Sequence, residues 1–206
     1  TGSSEDPIIF DACKAFRDGG GICVSNGNQA VVSLDYCEIT GCEAKATSGG
    51  GIFSNAKSLE VNHSTIDSCK GNWCGGGIAV IYGTATIENS TLSDNRAVGH
   101  AGGGIYTQGT SLSLSNTTIN GHANLEAATV NAVEGGGIYA AAGVLSISGS
   151  SVITDCTVSN NGGAIYNAST AVPDGSEVMP TITNDHAAST HATAGTVTIT
   201  GLTING

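Results

Sequence analysis

The side chains able to do chemistry in this sequence fall into three sets, each implying a different reaction. Paired carboxylates about 5 to 9.5 Å apart can protonate a glycosidic oxygen and supply the base or nucleophile that completes hydrolysis. Asp35, Asp67, Asp94, Asp155 and Asp174 are the candidates; they share no repeat column, although Asp67 and Asp94 fall on neighbouring units. His63, His100, His122, His186 and His191 are scattered, with no Ser-His-Asp order that would assemble nucleophile, base and orienting acid. The seven cysteines lack the CxxC-type spacing of a zinc site, so neither a metal nor a cofactor is expected.

Glycine clusters are the third set. Triplets or their equivalent begin at Gly19, Gly49, Gly75, Gly102, Gly135 and Gly162, in "DGGGIC", "SGGGIF", "CGGGIA", "AGGGIY", "EGGGIY" and "NGGAIY". Backbone N–H groups of such a turn can hold a phosphate, but the phosphate-binding versions continue into a helix as G-x-G-x-x-G or G-x-x-x-x-G-K-[ST]. Neither continuation is present, and six copies argue for architecture. As scaffold, the glycines allow positive φ at a corner or let the chain pass close to a neighbouring coil.

A second motif precedes each cluster: Phe10 to Cys13, Ile39 to Cys42, Ile66 to Cys69, Leu92 to Asn95, Ile119 to His122 and Ile153 to Cys156. The clusters are spaced 30, 26, 27, 33 and 27 residues apart, a period that signals a repeat architecture. "SLEVNHSTID", "TATIENSTLSD" and "SLSLSNTTIN" alternate apolar and polar residues as half-buried strands do, and no window has a helical period. A propeller blade needs about 40 residues or more, whereas a coil of a parallel β-helix fits the observed period. The expected fold is all-β: a single parallel β-helix of about six to seven coils over residues 1–206, read as a fragment of a longer rod. Inserted loops are expected at 123–134 and 168–194; the second carries Pro173, Pro180, His186 and His191 and is a candidate recognition feature.

The paired motifs resemble the Gly-Gly-Ala-Ile and Phe-x-x-Asn repeats of the chlamydial polymorphic membrane protein family. Gly162-Gly163-Ala164-Ile165 matches the first literally and the other five read GGGI; the second survives as Phe10 to Cys13 and Leu92 to Asn95. The resemblance implies a right-handed β-helix that is an autotransporter passenger, secreted or exposed outside a bacterial outer membrane, adhering to a host-cell receptor or glycan.

Stacked coils turn each repeat position into a column. Cys13, Cys42, Cys69, Asn95, His122 and Cys156 are expected to point inward. Cys13 with Cys42, Cys42 with Cys69, Cys69 with Cys74, or Cys37 with Cys42 can form disulfides; equally, all can be reduced, buried small hydrophobes. Asn95 reads as part of a stack of side-chain amides. The residues after the glycine clusters, among them Phe53, Tyr106, Tyr139 and Tyr166, are expected to point outward as an aromatic stripe able to meet sugars or a protein. Glu38, Thr65, Thr91 and Thr118, continuing at Ser151 or Val152 and at Thr203, form a second outward column like that of an ice-binding solenoid. Asn62, Asn89, Asn116 and Asn167 open N-x-S/T triplets, three of them read as one repeat column.

Six Lys plus Arg against seventeen Asp plus Glu give a net charge of −11. Nucleic acid is therefore not an expected partner, and an acidic polysaccharide would find few cations to hold it. No apolar run reaches the roughly 18 residues of a membrane span. The function expected is a non-catalytic adhesin or spacer, with a polysaccharide-degrading enzyme as the alternative and ice or glycan binding as a third.

Overall fold

The computed structural model describes residues 1–25, 29–109, 111–124, 134–141, 143–158, 162–167, 188–190, 197–199 and 203–205. Among the described residues all strand pairings are parallel, in four sheets of seven, six, seven and six strands. Strands of the first sheet include Cys37–Thr40, Thr65–Asp67, Thr91–Ser93, Thr118–Asn120 and Val152–Thr154. The second sheet is made of two-residue strands such as Lys70–Gly71 and Arg96–Ala97. Ile52–Ser54, Ile78–Val80, Ile105–Thr107, Ile138–Ala140 and Ile165–Asn167 build the third. Ser58–Asn62, Thr84–Glu88, Ser111–Ser115 and Val144–Ser148 build the fourth. Each coil visits the four in turn.

Alternation along the strands fills the interior. Ile39, Ile66, Leu92, Ile119 and Ile153 form an inner ladder on the first sheet, facing Ile52, Ile78, Ile105, Ile138 and Ile165 on the third. Each such side chain contributes about 1.5–3 kcal/mol by leaving water.

The corners are made by left-handed residues. Between the fourth and first sheets stand Tyr36, His63, Asn89, Asn116 and Gly149, all with positive φ. Between the first and second stand Ala12, Gly41, Ser68, Asp94, Gly121 and Asp155. The glycine clusters make the next turn as expected: Gly49 has φ 69°, and a Cβ on Gly51 would stand 2.9 Å from the Gly77 carbonyl oxygen and 3.3 Å from Cys69 Sγ. The two repeat motifs are thus one packing unit, the third glycine making room for the inward side chain of the next coil.

Candidate functional site

The inward column sits where the spacing places it. Cys42, Cys69, Asn95 and His122 are buried, and Cys13 and Cys156 pack against the core. All seven thiols are free, so among the alternatives for the cysteines it is the reduced state that the structure holds. Cys69 Sγ donates to the carbonyls of Asp67 at 3.3 Å and Ile39 at 3.5 Å. Burial pushes the Cys69 and Cys74 thiols up to about 12 and Cys156 to about 11, so they stay protonated and unreactive.

Asn95 does not stack with other amides. Its Oδ1 accepts from the Cys69 N–H at 2.9 Å and its Nδ2 donates to the Ile66 carbonyl at 2.7 Å, so it bonds backbone of the preceding coil. His122 Nδ1 accepts from the Asn95 N–H at 3.0 Å, and burial lowers the imidazole to about 4, against the smaller opposing pull of carbonyls and Asp67.

The amide ladder lies instead at the outer corner. Asn62 Nδ2 donates to Asp35 Oδ1 at 3.3 Å, Asn89 Nδ2 to Asn62 Oδ1 at 3.0 Å, and Asn116 Nδ2 to Asn89 Oδ1 at 3.3 Å. Register corrects the column read for the N-x-S/T triplets. Asn62 pairs with Glu88, one place before the corner, so only Asn89 and Asn116 are equivalent. Beneath the ladder, Cys37 N–H donates to Ser64 Oγ, Ser64 N–H to Ser90 Oγ and Thr117 N–H to Ser151 Oγ.

The aromatic column is correctly ordered but largely covered. Tyr106 stacks on Tyr139 with centroids 5.2 Å apart, and Tyr139 on Tyr166 at 5.3 Å. Tyr106 and Tyr166 are nevertheless only 6% and 7% exposed. Cys74 and Ala101, on the approach to the glycines, form with Tyr106 a second small apolar cluster outside the main core, and Ile81 and Tyr139 pack against it. Burial pushes the Tyr139 phenol to about 12. Phe53 is half-buried and separated from the tyrosines by Ala79. The exposed end of this run is Trp73, at 46%, stacked on His100 at 5.5 Å; His100 meets Tyr139 edge-on at 6.2 Å, while the more exposed Phe16 and Tyr82 stand outside the run. Sequence reading missed this continuation because Trp73 and His100 lie in turns outside any strand column.

The outer face of the first sheet carries the hydroxyl column: Glu38, Thr65, Thr91, Thr118 and Val152 stand in register, with Ser151 turned inward. Beside it Asp67 accepts from Ser93 Oγ on one oxygen and from Ser68 Oγ on the other, at 2.8 Å for the second. Asp94 and Asp155, contrary to the sequence reading, do share a column: both are left-handed corner residues, with Gly121 between them. Two strand spacings put them roughly 10 Å apart. Among the described residues, no group of three or more His, Cys, Asp or Glu is placed to hold a metal. Asp174, His186, His191, most of the 123–134 loop and most of the 168–194 loop lie outside the described residues.

Parallel strands stacked in four continuous sheets, with like residues in ladders, define a parallel β-helix. The chain belongs to the family described as right handed beta helix region, whose model matches residues 2–204. No curated protein and no solved structure gives a significant match.

Proposed function

We propose that this β-helix is a non-catalytic binding module displayed outside the cell, an adhesin or passenger that meets a receptor protein or glycan along its side. The observation that carries the reading is the aromatic run Trp73–His100–Tyr139, backed by the stacked Tyr106 and Tyr166 and opened to solvent at Trp73. An exposed indole on a stacked, half-buried support offers large contact area at little entropic cost. The resemblance to the passengers of chlamydial polymorphic membrane proteins supports the surface location. A hydrolase would need carboxylates aimed into one groove, whereas Asp67 is engaged by two serine hydroxyls.

Purified protein applied to host-cell monolayers and to a glycan array tests the proposal. Trp73→Ser is expected to remove binding while circular dichroism keeps the β signature. Polysaccharide cleavage that disappears with Asp67→Asn, or no binding by the parent chain, would overturn it.

A further inference from the structure

The repeat changes residue type at one corner beside a cavity. In the corner between the fourth and first sheets the left-handed positions hold Asn89, Asn116 and Gly149, which suit positive φ; the two preceding coils put Tyr36 (φ 52°) and His63 (φ 45°) there. One column over, Glu38 stands where the repeat has Thr65, Thr91 and Thr118. These three departures converge on an open cavity of about 270 Å³, lined on its other side by Ser3, Ser4 and Pro7. That segment is held by the Gly2 N–H donating to the Asp35 carbonyl at 2.9 Å and the Ile8 N–H to the Tyr36 carbonyl at 3.0 Å. Strained backbone kept against a simpler alternative is a mark of a working site.

The lining is rich in acceptors. Behind the lining, Asp35 Oδ1 stands 3.2 Å from His63 Nδ1, which fixes the ring. The rings of Tyr36 and His63 lie parallel, centroids 4.7 Å apart, and form one wall. Among the described residues no cation pairs with Glu38, and no Lys or Arg lines the cavity. Thr65 and Thr91 add hydroxyls that donate or accept. Asn89 is spoken for by the amide ladder on both its oxygen and its nitrogen. An ammonium ion would find a single carboxylate in the lining, that of Glu38. A polyhydroxylated ring, with an apolar face for the aromatic wall and several O–H donors, satisfies the whole set. The volume lies just below the roughly 300–1,000 Å³ of drug-sized sites, room for one ring.

We propose that the Tyr36/His63/Glu38 cavity binds a neutral monosaccharide unit. It shares no residue with the Trp73–Tyr139 run, so each reading can fail alone.

The test is an NMR titration of the ¹⁵N-labelled chain with methyl β-D-galactopyranoside, methyl α-D-mannopyranoside and N-acetylglucosamine, with ethylammonium chloride alongside. At least one sugar is expected to shift Tyr36, Glu38 and His63 with a Kd on the order of millimolar. Glu38→Gln should weaken that binding about tenfold or more at unchanged thermal midpoint. Tyr36→Asn restores the residue that the repeat uses, so it should raise the midpoint by about 2 °C or more while losing the sugar. A residue present only for stability cannot give that opposite pair of effects. Trp73→Ser should leave the titration unchanged. Silence with all three sugars, shifts with ethylammonium alone, or full binding by Tyr36→Asn and Glu38→Gln would overturn the proposal.

Discussion

Asn89 and Asn95 flank the same strand, Thr91–Ser93, and stand at its two corners. Asn89 is exposed, takes the left-handed conformation itself, and exchanges hydrogen bonds with amides of the coils before and after. Asn95 is buried, follows the left-handed Asp94, and spends both ends of its amide on backbone of the coil before. The same side chain is a replaceable surface link at one corner and an obligatory partner of buried peptide groups at the other. What separates the two is that Asn89 is itself the left-handed residue, whereas Asn95 follows one and points inward. Substitutions that move one corner and spare the other measure that difference.

The largest effect is expected at Gly104, the third glycine of its cluster. A Cβ there would stand 2.7 Å from the Gly137 carbonyl oxygen and 2.7 Å from His122 Cδ2. Backbone on one side and a buried ring on the other leave nowhere to shift, so Gly104→Ala should cost about 3 kcal/mol or more. Adding His122→Cys removes the ring but not the carbonyl, and should recover part of the loss in a urea titration. Full recovery would mean that the backbone has more slack than the coil spacing allows.

His122 itself supplies the next. Its imidazole is lowered from 6.5 to about 4 by burial, so the unfolded chain takes the proton first. Stability is complete above the unfolded value and falls as pH drops from about 6.5 toward 4, by about 3 kcal/mol at most. Urea midpoints at pH 7 and 4.5 should diverge in the parent and much less in His122→Asn, which puts the side chain of Asn95 into the same column. A similar size, about 2–4 kcal/mol, is expected for Asn95→Ala, which strips the buried Cys69 N–H and Ile66 carbonyl of their partners.

The strands and the inward column were legible because they depend on local alternation and on a period that every copy repeats. Ile66, Leu92 and Ile119 could be aligned by eye, and the clusters from Gly49 to Gly135 fixed the coil length. The corner geometry was half visible: Gly41, Ser68, Asp94 and Gly121 precede the inward residues, a run of small or turn-forming residues that points to a left-handed site. Tyr36 carried no such signal, since its conformation opposes its propensity. The aromatic column was ordered correctly yet its burial was not foreseen, because Cys74 and Ala101 reach Tyr106 from a turn that period-two alternation does not describe. Trp73, His100 and the cavity beside Glu38 arise between columns, where a repeat-based reading has nothing to align.

The smallest effect sharpens the opening contrast most. Asn89→Gly keeps the left-handed corner, which glycine adopts freely, and removes only the amide links to Asn62 and Asn116. Both links are exposed, so water replaces them and the cost should be within about 0.5 kcal/mol. Asn89→Ala removes the same links but keeps a Cβ at positive φ without the amide that lets asparagine tolerate it, so it should cost about 1–2 kcal/mol more than the glycine variant. The difference between the two variants is therefore the price of the conformation, and the glycine variant alone reads the ladder. A glycine variant as damaging as Asn95→Ala would show that the exposed amides work as one cooperative ladder along the rod, and that exposure does not distinguish the corners.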